Sequence, residues 1–168
     1  WEQQPGHILN GDKSGPACEW WSGRWKEDLD RAAEAGQTAH RLSIEWSRVQ
    51  PAADRWDEDA IDHYRAILRG ICERGMTPMI TLHHFTDPLW LVEMGGWENE
   101  AIVSLFGTYA KKIAEALHSY NQLWVTINEP ALYVLFGYLL GEWPPGEVAP
   151  GKFGRVVKNM VRAHAAAY

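Results

Sequence analysis

The chain switches repeatedly between a helical and a strand period, and this alternation restricts its fold more than any other feature. From Arg24 the pattern is helical, with Trp25, Leu29, Ala32 and Ala33 at i, i+4, i+7 and i+8. Gly36 ends that stretch as a left-handed C′ residue. Residues 39–46 then alternate: Leu42, Ile44 and Trp46 face one way, Arg41, Ser43 and Glu45 the other. This predicts a strand that Pro51 stops. A helix follows over about 57–74, capped by Asp57, striped by Ile61, Tyr64, Leu68, Ile71 and Cys72, and ended by Gly75. A second strand is expected at 77–84 and a loop at about 85–98. A third helix, about 99–119, carries Ile102, Phe106, Tyr109, Ile113 and Leu117 on one side. The third strand, 123–129, is stopped by Pro130, and a last helix is expected near 154–168. Residues 1–23, rich in Gly, Pro and Trp, read as loop.

Strands alternating with helices imply a parallel sheet, because parallel neighbours need crossover connections. The predicted strand ends recur about every 40 residues. No Gly-x-Gly-x-x-Gly turn or P-loop follows a strand, so a nucleotide-binding sheet is disfavoured. No Gly-x-Ser-x-Gly elbow is present either. With 168 residues the chain falls below the ~250 of a complete (β/α)8 barrel. Hydrophobic residues at 46% and charged residues at 23% suit a globular core. The net charge of −6 carries no basic block, which argues against nucleic acid and anionic membrane as partners. No run of ~18 apolar residues could span a bilayer, and no leader precedes the first segment. A cytoplasmic setting is therefore expected. Cys18 and Cys72 make neither a metal motif nor a disulfide framework, and Cys72 reads as a small core residue. Ten tryptophans fit either an aromatic core or rings that stack on sugars.

Polar residues gather at the end of each predicted strand: Arg41, Ser43 and Glu45, then His83 and His84, then Asn128 and Glu129. In a parallel barrel that end holds the active site. Glu129 closes an apolar strand before Pro130, where partial desolvation would suit it to proton transfer; a solvated strand-end carboxylate explains it equally well. Strict alternation sets Asn128 and Glu129 on opposite faces, so both reach one site only if the strand bends or ends there. His84 is either a hydrogen-bonding partner for a sugar hydroxyl or a satisfied core histidine. A metal is disfavoured, since no HExxH or cysteine pair supports one. Arg41 needs a carboxylate partner if buried, and Glu45 is ~13 Å up the strand. Its partner is then a carboxylate of another strand, in a functional pair or in a barrel-filling one. His7, His40, His63, His118 and His164 have no companions at useful spacing.

HRLSIEWSRVQP (40–51), GMTPMITLHHF (75–85), GGW (95–97) and TINEP (126–130) together resemble glycoside hydrolase family 1. Its members are retaining β-glucosidases and β-galactosidases on a (β/α)8 TIM barrel. The resemblance runs over nearly the whole chain, in the family's order. It implies that residues 1–168 are a partial catalytic domain, about strands two to four of eight, with the first strand and the C-terminal half elsewhere. It implies Glu129 as general acid/base and Asn128 on the sugar 2-hydroxyl. His84 would hold another hydroxyl, and Arg41 would lie against the nucleophile. The family's nucleophile sits in a Thr-Glu-Asn-Gly motif, which these residues lack. Phe85 stands where the family often has Trp, and Thr86-Asp87 replaces Asp-Leu. The expected ligand is a small β-glycoside or oligosaccharide, with no cofactor and no metal. The other reading is a non-catalytic sugar-binding module that keeps the pocket alone.

Overall fold

The computed structural model describes residues 5–12 and 19–168. Three parallel strands, β1 (Ala39–Ser43), β2 (Thr77–His83) and β3 (Leu123–Ile127), form one sheet in the order β1-β2-β3. The register pairs Ser43 with Thr81, Thr81 with Val125, and His83 with Ile127. All three C-terminal strand ends therefore lie at the same end of the sheet. The parallel α/β architecture matches the sequence expectation.

The long helices lie where the helical period falls. They are α1 (Trp25–Glu34), α3 (Glu58–Glu73), α5 (Ile102–Leu117) and α7 (Pro150–Ala167). Asp57 caps α3 by accepting from the Ala60 amide at 2.9 Å. Gly36 and Gly75 are left-handed, at φ 78° and 74°. Pro150 opens α7 four residues before the expected start, at a position that suits its fixed φ and missing N–H.

Three shorter helices are not predicted by the sequence pattern: α2 (Trp46–Val49), which takes the last residue of the expected first strand, α4 (Leu89–Glu93) and α6 (Pro130–Val134). A π turn, Leu135–Leu139, continues α6. The first strand thus ends well before Pro51. The Glu45 carboxylate accepts from the Ser47 amide and, at 2.7 Å, from the Ser47 hydroxyl, so a helix begins at Trp46. The third strand likewise ends at Ile127 rather than Glu129.

The core lies between the sheet and its helices. Ile102, Phe106, Tyr109, Ile113 and Leu117 of α5 are all fully buried, and each contributes about 1.5–3 kcal/mol of apolar burial. Trp46 stacks on Tyr109 with ring centres 4.5 Å apart. The Tyr109 hydroxyl donates to the Leu82 carbonyl at 2.9 Å, fastening α5 to β2. Ile61, Tyr64, Leu68 and Ile71 of α3 are buried as expected. Cys72 is not; it is exposed, because Ile71 takes the inward position and Cys72 turns past the stripe's edge. Cys18 lies outside the described residues. Among the described residues, no helix is long and apolar enough to cross a membrane.

Candidate active site

The site forms where the three strands end. Arg41 of β1 reaches across the sheet: its Nε donates to Thr81 Oγ1 at 2.8 Å and its NH2 to Asn128 Oδ1 at 2.6 Å. Among the described residues no carboxylate lies within 4 Å of Arg41, and its side of β1 is open. The carboxylate partner expected from sequence is thus absent within these residues; Thr81 and Asn128 occupy the guanidinium instead. The Arg41 bond fixes the amide of Asn128, leaving its Nδ2 donors for the open side.

Asn128 and Arg41 meet because β3 stops one residue earlier. The Asn128 amide still donates to the His83 carbonyl at 2.9 Å. The next residue, Glu129, takes a left-handed conformation, φ 43° and ψ 55°, and Pro130 opens α6. The abrupt turn frees both side chains from alternation. A non-glycine residue in this region stores backbone strain of about 1–2 kcal/mol. Phe85, φ 75°, makes the corresponding turn after β2.

His84 follows β2 and is held by Ser43, whose Oγ lies 2.9 Å from its Nδ1. Its Nε2 is the ring nitrogen left for a ligand. Burial lowers the His84 pKa, and the nearby Arg41 guanidinium lowers it further, while the Glu129 carboxylate pushes it up. Arg41, His84 and Glu129 therefore share one electrostatic environment. Beside His84 stands an aromatic wall. Phe85 lies 5.0 Å from Trp143, and Trp143 stacks on Phe136 at 4.7 Å.

Glu129 is exposed among the described residues; of the two readings left open by the sequence, this is the solvated strand-end carboxylate. The described residues cover the helix-facing side of the sheet and leave the Arg41 side open. Glu45, expected on the site face, instead caps α2 and accepts from the Thr86 hydroxyl at 2.7 Å.

Beneath the site lies a polar cluster that spacing did not reveal. Asp87, nearly buried, accepts from Trp97 Nε1 at 3.0 Å and from the Tyr133 hydroxyl at 2.7 Å. His83 Nε2 lies 3.1 Å from the same carboxylate. Desolvation, then the Asp87 charge, raises the Tyr133 pKa well above the ordinary tyrosine value. The sequence carried little signal for it, since the loop 85–98 also holds Glu93 and Glu98. Among the described residues, no group of three or more His, Cys, Asp or Glu could hold a metal ion.

The family model described as Glycosyl hydrolase family 1 matches residues 1–168. The chain belongs to this family. Among family members, beta-glucosidase A of Thermotoga maritima is 35% identical over 164 residues, covering 97% of this chain and 36% of that protein. The structure of a beta-glucosidase from Thermotoga maritima in complex with cyclophellitol matches with a TM-score of 0.94 at 35% identity, over 99% of this chain and 38% of that one. A β-glycosidase from Pyrococcus horikoshii matches with a TM-score of 0.88 at 42% identity, over 93% of this chain and 36% of that one. Human cytosolic beta-glucosidase is 35% identical over 144 residues, covering 84% of this chain and 31% of that protein. The chain thus spans about a third of the length of these relatives. The fold is the corresponding part of a (β/α)8 barrel, with three of its parallel strands.

Proposed function

We propose that these residues form the acid/base-bearing part of a retaining β-glycosidase. One observation carries the reading: Glu129 lies at the end of the sheet where Arg41 of β1, His84 just after β2 and Asn128 just after β3 gather. In this reading Glu129 gives its proton to the glycosidic oxygen as the bond to the anomeric carbon breaks. A second carboxylate, about 5 Å away, attacks that carbon and forms a glycosyl ester. Glu129 then removes a proton from water, which displaces the ester and releases the sugar. The nucleophile comes from outside the 168 residues, on the open side that Arg41 faces. Asn128 Nδ2 and His84 Nε2 are the free atoms suited to sugar hydroxyls. The ligand is a small β-glycoside, supported by the T. maritima β-glucosidase solved with cyclophellitol. A cytoplasmic setting accords with the name of the human relative.

The test is Glu129→Gln in the full-length protein. Loss of a general acid lowers kcat/KM for phenyl β-glucoside by about 10²–10⁴-fold. A variant as active as the parent would overturn the assignment. Parallel assays of aryl β-glucosides and β-galactosides separate the two sugars.

A further inference from the structure

We infer that Asp87 is a positioning residue for Glu129, acting through Tyr133. The inference rests on the glycosidase reading above and assigns a duty to a carboxylate that the proposed chemistry leaves idle. Asp87 lies in the loop after β2, and its side chain is only 8% exposed. Its two oxygens face three donors from separate parts of the chain. His83 lies at the end of β2, Trp97 in the turn Gly96–Glu98, and Tyr133 in α6. Among the described residues no Lys or Arg nitrogen lies within 4 Å of Asp87. A buried carboxylate without such a cation is tolerated only when donors surround it.

Two of these ties end one step from the site. His83 precedes His84, and its carbonyl accepts from the Asn128 amide. Tyr133 closes the first turn of α6, its amide donating to the Glu129 carbonyl at 3.1 Å. Glu129 itself makes no side-chain capping bond. Its direction is therefore set by the backbone of α6, and α6 is held down where Tyr133 meets Asp87. His83 Nδ1 is buried with no hydrogen-bond partner among the described residues, so the ring's one polar anchor is Asp87. A single carboxylate thus couples the turn that aims the acid/base to the strand end that presents His84.

The full-length enzyme decides this with two substrates. Phenyl β-glucoside has a leaving group that needs a proton; 2,4-dinitrophenyl β-glucoside has one that departs without it. Tyr133→Phe and Asp87→Asn should each lower kcat/KM about tenfold for the first and less than about twofold for the second. Equal losses on both substrates, or no loss on either, overturn the inference. Tyr133→Phe keeps the other two donors to Asp87, so it decides the matter if Asp87→Asn does not fold. Glu129→Gln is run alongside. If that variant keeps full activity on phenyl β-glucoside, the glycosidase reading fails; if it loses activity while the other two match the parent, only the positioning role fails.

Discussion

His84 is where the charges of the site can be read directly. Its pKa is lowered first by burial and then by Arg41, with Glu129 opposing. A base whose folded pKa is depressed stabilises the fold while neutral. That contribution is complete above the unfolded value of about 6.5 and is lost as pH falls through the lower folded value. Arg41→Met removes one cause of the depression, so the His84 ring protons should titrate at higher pH by NMR. Glu129→Gln should move them to lower pH. A titration unchanged in both variants would show that the three side chains do not share a site. The left-handed backbone at Glu129 makes a second expectation. Glu129→Gly should melt above Glu129→Ala, because glycine alone relieves the positive φ, with a difference of about 1 kcal/mol. Equal melting temperatures would argue against strain there.

Helix packing offers a case in which two effects of opposite sign can be weighed. Gly70 lies inside α3, where alanine would gain about 1 kcal/mol in helix propensity. A Cβ there would overlap the Trp25 ring of α1. Overpacking costs about 1–3 kcal/mol, so Gly70→Ala should destabilise the protein in urea unfolding despite its better propensity. The same elements show what a sequence exposes. Each of the four long helices repeats its stripe over several turns, and the stripes at α3 and α5 predict buried residues with Cys72 as the exception. The short helices repeat nothing. α2, α4 and α6 have four or five residues each, less than two turns, and rest on local devices such as the Glu45 cap or Pro130. At the site, the chain's exit from the sheet at Glu129 was legible because Pro130 follows it, whereas the role proposed for Glu129 came from the resemblance. Asp87 was not legible, because its donors come from residues 83, 97 and 133 and converge only on folding. The sequence left the exposure of Glu129 open, because it depends on what packs over the open side of the sheet.

The whole molecule presents two kinds of unfinished surface. β1 and β3 are the edges of the described sheet, and unpaired edges invite pairing with other chains. Beside β3 an apolar groove of about 640 Å³ runs between α6 and α7, lined by Ile127, Val134, Leu135, Phe153, Val157 and Met160. Val161 is 62% exposed and Leu123 44%. Apolar surface of this kind favours association in water. The 168 residues expressed alone should self-associate in light scattering and hydrolyse no aryl β-glycoside. A monomeric, active product would contradict both the missing nucleophile and the role of the edges.

The left-handed turn at Glu129 also bears on protein engineering. A redesign scored on folding energy would write glycine at 129 first and a hydrophobic residue at 87 soon after. Both edits would satisfy local rules, and together they would erase the proposed proton donor and the proposed anchor of its turn. Glu129 keeps an unfavourable backbone and Asp87 a buried charge, so under the proposed roles thermostabilisation should begin by leaving both positions untouched.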